Sequence, residues 1–449
     1  MSKIEVVWFK DLDLWDFKSN NFDYNIFTKS SFPLIKIQEF LKRNKTGTII
    51  KNQEYYKRVT IKTKGQGVFL RDIVEGSKIG TKKQFIIKSG QFLISKIDAR
   101  NGAFGVANDD VDNAIITGNF WAYDIDKSKI NAFFLAFLTT TDYFIKFCES
   151  CSGGTTGRHY LDENKFLNAK IPLPPLEIQR EIVEKIKNIQ DKIKALQDEE
   201  KRLKEEIEVY LYITLGLERK QEKKKQKVFV MEFKNLDRWD VKHNQDDVGN
   251  SNKVSFESIE NIVRYMQRGK TPKYSNIKQY PVIAQKCIQW NGIDMKKSLF
   301  IDPDSIKNYT QDRFLQDDDI LLNSTGIGTL GRVALYKSTI NPYAAAVADG
   351  HVTVLRFDKD KILPNYFYCY FSSSMIQDSI EEYATGSTKQ KELSLSLVKQ
   401  IQIPLPPLEI QKQIVEHIES KQKIIEDNKY KIENLQSDIN KELQELILA

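Results

Sequence analysis

Ile171-Pro172-Leu173-Pro174-Pro175-Leu176-Glu177-Ile178-Gln179 occurs twice in this chain, returning letter for letter as Ile403-Pro404-Leu405-Pro406-Pro407-Leu408-Glu409-Ile410-Gln411. Similarity continues past it, Ile182-Val183-Glu184 matching Ile414-Val415-Glu416. Chance rarely yields nine identical residues, so the chain reads as an internal duplication. The offset, Ile171 to Ile403, is 232 residues, about half of the 449. Phe9-Lys10-Asp11-Leu12-Asp13-Leu14-Trp15-Asp16-Phe17-Lys18 also returns, as Phe233 to Lys242 at an offset of 224, which makes the second globular unit the longer one. Trp15 and Trp239 read as anchors of each unit's N-terminal segment rather than as base-stacking residues.

A chain of 449 residues exceeds one ordinary core, so two or more domains are expected. An apolar fraction of 41% supports packed cores, and no apolar run approaches membrane-spanning length. The start Met1-Ser2-Lys3-Ile4-Glu5 lacks a signal-peptide core, which predicts a cytoplasmic protein. A net charge of +7 permits nucleic-acid binding without requiring it. Four cysteines argue against a disulfide scaffold. Cys148 and Cys151 form a C-x-x-C that suits redox chemistry or half a zinc site. Neither a second such pair nor clustered histidines accompany it, so structural or incidental cysteines and no metal are expected.

Residues 33 to 165 mix short β-rich runs with turns, the pattern of an α+β domain. Phe85-Ile86-Ile87 and Phe92 to Ile97 read as strands around Ser89-Gly90, and Ile115 to Tyr123 as another. An apolar helix is predicted over residues 130 to 147. Asp98 to Val106 is a turn whose glycines allow close backbone approach. Ser152 to Arg158 offers hydroxyls, backbone N–H groups and a guanidinium, which suits a phosphate or base-edge reader as well as a solvated loop. Thr385-Gly386-Ser387-Thr388-Lys389 falls at the same place in the second copy, favouring the binding role.

From Pro175 the pattern turns helical, with Ile182, Ile186, Ile189, Ile193, Leu196, Leu203 and Ile207 at 4-3 spacing in which Glu200 breaks one seam position. A helix from there to about Leu215 spans roughly 60 Å at ~1.5 Å per residue. Ile414, Ile418, Ile425, Ile432, Leu435 and Ile439 repeat the seam, with Lys421 and Asn428 as polar members. Residues 219–232 are a basic hinge.

Gly326-Ile327-Gly328-Thr329-Leu330-Gly331 spells the dinucleotide fingerprint. The next residues, Val333 to Tyr336, read as a strand, whereas the fingerprint needs a helix N-terminus under the phosphates. The first copy keeps Gly102 and Gly105, so this is read as a structural turn between strands. Asn341-Pro342-Tyr343 lacks a proline of the adenine-methyltransferase motif, Pro303-Asp304 lacks a nuclease continuation, and there is no P-loop. No catalytic residues are assigned.

This order of units and helices, with its paired I-P-L-P-P-L-E-I-Q motif, resembles the specificity subunit of type I restriction–modification systems across essentially the whole chain. The resemblance implies an α+β fold in which two globular target-recognition domains alternate with two long helices. The helices would pair as an antiparallel coiled coil, giving a pseudo-two-fold duplication. The implied divisions are residues 1–170 and 233–402 for the recognition domains, and 171–218 and 403–449 for the spacer helices. Each domain would read one half of a bipartite site in double-stranded DNA, and the helices would dock two methyltransferase subunits. S-adenosylmethionine would then belong to those partners, and ATP with Mg to a restriction–translocase partner; no cofactor and no membrane are expected for this chain. On that reading Lys62, Lys64, Arg100, Asn101, Thr155, Thr156 and Arg158 are the expected DNA contacts of the first domain. Arg268, Lys270, Lys273, Tyr274, Ser324, Thr329, Arg332, Ser387, Thr388 and Lys389 are those of the second. A self-contained DNA methyltransferase or nuclease is the competing expectation, and a coiled-coil scaffold binding only protein is a third.

Overall fold

A computed structural model describes residues 30–153, 159–217, 254–326, 328–386 and 391–448. Thr155, Thr156, Arg158, Ser387, Thr388 and Lys389 lie outside the described residues, as do Trp15, Trp239 and the 219–232 hinge. The chain forms two compact units, residues 1–196 with 429–449, and residues 197–428. These divisions fall inside the long helices, because each helix contributes apolar residues to the core of both units.

The first unit is built on a four-stranded antiparallel sheet in the order Leu41–Asn44, Phe120–Ile125, Phe92–Ser95, Phe104–Val106. The second repeats it as Val263–Arg268, Val352–Phe357, Ile320–Asn323, Val333–Leu335. The third strand of each is a continuous apolar run because both of its faces are covered. Phe92 and Ile94 point into a core with Phe104, Phe134, Phe144 and Phe166, while Leu93 points into a second core with Val59, Ile61 and Val68. Ile320 and Leu322 likewise face one core of the second unit and Leu321 the other.

Register gives the correspondence residue by residue. Phe120 pairs with Ser95, and Val352 pairs with Asn323. Leu93 then faces Gly105, whereas Leu321 faces Ala334. The glycines therefore match differently from the sequence spacing. Gly102 corresponds to Gly331, both at left-handed φ (74° and 77°), and the loop of the second unit is one residue longer. The fingerprint glycines do sit in a turn between two antiparallel strands.

Three local expectations change. The predicted helix over residues 130 to 147 is two helices, Ala132–Thr139 and Asp142–Ser150, because Thr141 caps a new start by accepting from the Phe144 N–H. The predicted strand Ile115 to Tyr123 is broken at Thr117 to Asn119 into Ile115–Ile116 and Phe120–Ile125. The strands Lys83–Ile86 and Phe92–Ser95 flank Ser89-Gly90 but belong to different sheets.

The repeated motif begins as a strand and ends as a helix. Lys170–Pro172 pairs with Leu34–Lys36, and Gln402–Pro404 pairs with Phe256–Ser258. The helices then run Leu176–Leu215 and Leu408–Leu448. The last residue of each motif fastens this junction. Gln179 is fully buried; its Oε1 accepts from the Asn131 N–H at 2.7 Å, and its Nε2 donates to the Lys129 and Pro174 carbonyls at 3.1 and 2.8 Å. Gln411 makes the same three bonds, to Leu363 N–H (2.8 Å) and the carbonyls of Lys361 (3.0 Å) and Pro406 (2.8 Å). A buried amide so satisfied is stabilising, and stripping it exposes three backbone groups to desolvation.

Every predicted seam residue of both helices is buried or half-buried. In the first unit Ile182 and Ile186 share a core with Ile439 and Leu443, and Lys185 Nζ lies 3.4 Å from Glu442. In the second, Leu211 and Leu215 join Ile414, Val415 and Ile418. There Lys421 pairs with Glu206 at 2.7 Å, Asn428 donates to Glu199 at 2.8 Å, and the Tyr210 and His417 rings stack at 3.9 Å.

Candidate nucleic-acid interface

In the first unit, the strands Tyr55–Lys62 and Gly67–Glu75 form a long hairpin within a five-stranded sheet. Its turn sits on the loop after the Phe92–Ser95 strand. The Lys64 N–H donates to the Asn101 carbonyl at 2.8 Å, and the Gly65 N–H to that of Gly102 at 3.0 Å. Lys64 itself has φ of 56°, a left-handed conformation that a non-glycine residue adopts at some cost. At Gly102 an added Cβ would come within 3.3 Å of the Lys64 nitrogen, so the close approach of the two loops depends on glycine.

This brings together four of the expected contacts, Lys62, Lys64, Arg100 and Asn101. Lys62 Nζ lies over the Phe69 ring at 4.5 Å. Among the described residues, the side chains of Lys64, Arg100 and Asn101 have no partner, and Lys64 and Asn101 are exposed. Two cations and an amide on adjoining turns suit phosphate and base-edge contacts. The neighbouring Arg58 is occupied instead, its fork closing on Asp72 at 2.7 and 2.6 Å. That pairing draws the Asp72 carboxyl below the usual aspartate range.

The second unit treats its expected contacts differently. Arg268 pairs with Glu392 at 2.7 Å and donates to the Leu393 carbonyl at 2.8 Å. Lys270 bonds the Asn308 carbonyl at 3.3 Å and lies 5.1 Å from the Tyr309 ring centroid. Lys273 pairs with Asp302 at 2.9 Å, which raises the lysine pKa. Tyr274 donates to Asp349 at 3.1 Å, and partial burial beside that carboxylate pushes its hydroxyl up to about 12. Thr329 donates to the Thr325 carbonyl at 3.3 Å. Arg332 bonds the carbonyls of Ile288 and Gly328. Ser324 is fully buried against Thr353 at 2.5 Å, so its hydroxyl is not presented to a ligand.

Backbone register explains that last difference. The Lys96 N–H donates to Asn119 and its carbonyl accepts from Leu161; Ser324 does the same with His351 and Leu393. The position of Ser324 is therefore held in the first unit by Lys96, whose Nζ lies 5.1 Å from the Tyr160 ring centroid. Sequence reasoning missed Lys96 because its equivalence is visible only in the strand pairing. Cys148 and Cys151 are buried in the first unit's core, and burial pushes the Cys148 thiol well up. Among the described residues no cluster of three metal-ligating side chains occurs, and no helix is long and apolar enough to cross a membrane.

Comparison with known proteins agrees with the duplicated frame. The chain is 27% identical over 190 residues to the putative type I restriction enzyme MjaX specificity subunit of Methanocaldococcus jannaschii, a match covering 42% of this chain and 41% of that protein. It is 25% identical over 301 residues to the type I restriction enzyme MjaVIII specificity subunit of the same organism, covering 66% and 64%. The chain thus spans about two fifths and just under two thirds of these curated relatives. A chain solved to explain complex assembly and conformational transition of the type I R-M system shares the fold, with a TM-score of 0.55 at 14% identity over 93% of this chain and 96% of that one. The type I restriction modification DNA specificity domain matches residues 30–209 and again 251–437, and the chain belongs to that family.

Proposed function

We propose that the chain is the non-catalytic, DNA-recognising specificity subunit of a type I restriction–modification complex. Each unit reads one half of a bipartite, asymmetric site in double-stranded DNA. The observation that carries this is one frame used twice under different surfaces. The four-stranded sheets share one strand order and the glutamine junctions match bond for bond, while the elements around the recognition loops differ. Two unlike readers on one frame suit two unlike half-sites.

The long helices act as a spacer, paired as an antiparallel coiled coil, and as the dock for two methyltransferase subunits. The contacts support that pairing: from Glu199–Asn428 to Glu206–Lys421, one helix advances by seven residues as the other goes back by seven. S-adenosylmethionine, and ATP with Mg where restriction subunits join, belong to the partners. The competing reading of a self-contained methyltransferase or nuclease is not favoured by the family match.

Exchange of residues 20–165 for the matching unit of another family member tests this. With the modification subunits added, mapping of methylated bases should show one half of the recognised sequence changed and the other kept. Change in both halves, or in neither, would sink the modular reading.

A further inference from the structure

Trp290 stands at the tip of a tight hairpin, Ile288–Gln289 with Gly292–Ile293, and is 52% exposed. A single exposed aromatic is ordinary by itself. Here, however, the backbone around it is fixed from two sides. Arg332 Nη1 donates to the Ile288 carbonyl at 3.2 Å, and the Tyr368 hydroxyl donates to the Trp290 carbonyl at 3.4 Å. The Arg332 guanidinium also lies 5.3 Å from the indole centroid, while its Nη2 holds the Gly328 carbonyl at 3.1 Å. One arginine thus ties the hairpin to the glycine loop and covers part of the ring.

Resting on the DNA-recognition reading, we propose that Trp290 is a specificity-determining DNA contact of the second unit, and that Arg332 is its positioning residue rather than a phosphate ligand. Each terminal nitrogen of Arg332 commits one N–H to a backbone carbonyl, which holds the guanidinium against the hairpin and the glycine loop. The indole is a large, rigid apolar surface kept in solvent, and such rings stack on bases or wedge beside base steps. Exposed Lys286, Lys296 and Lys297 flank the hairpin, and among the described residues Lys297 alone of the three is paired, with Asp294 at 3.3 Å. An aromatic tip between cations fits a polyanion carrying flat bases better than an apolar protein face.

The test uses the full chain and duplexes it enriches from a random pool, with Kd measured against salt. Trp290→Ala should weaken its selected duplex about tenfold, as at other aromatic–base contacts, with the salt slope unchanged. Trp290→Phe should keep most of the affinity. Arg332→Lys should mimic Trp290→Ala at constant slope, and 2-aminopurine scanned through the half-site should lose its binding-induced fluorescence change in both. A wild-type Kd for Trp290→Ala, including one accompanied by weaker binding of modification subunits, overturns the proposal while leaving DNA recognition standing. A slope lowered by ~0.9 in Arg332→Met but not in Arg332→Lys would restore Arg332 as a phosphate contact and overturn its positioning role. Failure of the wild-type chain to enrich any duplex, even with the modification subunits added, would overturn the recognition reading itself, and this inference with it.

Discussion

The two units are best compared at two places, the motif junction and the loop after the third sheet strand. At the junction they are the same down to individual bonds, Gln179 and Gln411 each holding one N–H and two carbonyls at equivalent positions. At the loop they diverge. The first unit lays a β-hairpin turn on it and leaves Lys64, Arg100 and Asn101 without partners among the described residues. The second fastens its loop internally through Arg332 and buries Ser324. Duplication has thus preserved the joint between unit and helix and released the surface that would meet a ligand.

The sharpest way to break the comparison is at the joint. Gln179→Leu and Gln411→Leu each strand a backbone N–H and two carbonyls in a buried site. Each should cost about 3 kcal/mol, from unsatisfied groups at ~1–3 kcal/mol apiece with partial relaxation. Chemical denaturation followed by amide exchange should show the loss in the first unit for Gln179 and in the second for Gln411. A large loss at one and almost none at the other would mean that identical geometry conceals different energetics.

Much of this architecture is legible in the sequence. The doubled motif reveals the duplication, and the heptads mark two helices ending close to where they do. The dinucleotide fingerprint is excluded because Val333–Leu335 is a strand. What the sequence does not convey is pairing. Gly105 and the fingerprint glycines look equivalent by spacing, yet register sets Gly105 against Ala334 and Gly102 against Gly331. The role of Gln179 is hidden because its partners Asn131 and Lys129 are 48 and 50 residues away in sequence. Arg268 and Arg332 read as free cations only while Glu392 and the Ile288 carbonyl cannot be located.

The register correction yields a smaller effect. Alanine is native at position 334, yet Gly105→Ala should destabilise the first unit by about 1–2 kcal/mol. Its Cβ would fall 2.9 Å from the Val68 side chain and 3.0 Å from the Gly67 Cα, because the hairpin crosses there. Thermal melting should show the loss. A neutral Gly105→Ala would mean that the hairpin can move aside, and that the two loops differ less than their packing implies.

The smallest expected effect is a pH dependence of that hairpin. Arg58 grips Asp72 through a two-point hydrogen bond and lowers its carboxyl pKa in the folded chain. A carboxyl whose folded value lies below its unfolded value of about 3.9 stabilises the fold above that pH. The contribution disappears as pH falls through the lowered folded value. Both side chains are about a third exposed, so solvent screens the pair and the effect is confined to the hairpin. Amide exchange across Tyr55–Lys62 and Gly67–Glu75 should therefore lose protection on acidification below about pH 4, and Asp72→Asn should flatten that loss. Equal acid sensitivity in Asp72→Asn would move the cause elsewhere and leave the hairpin's hold on the Asp98 to Gly102 turn to backbone bonds alone.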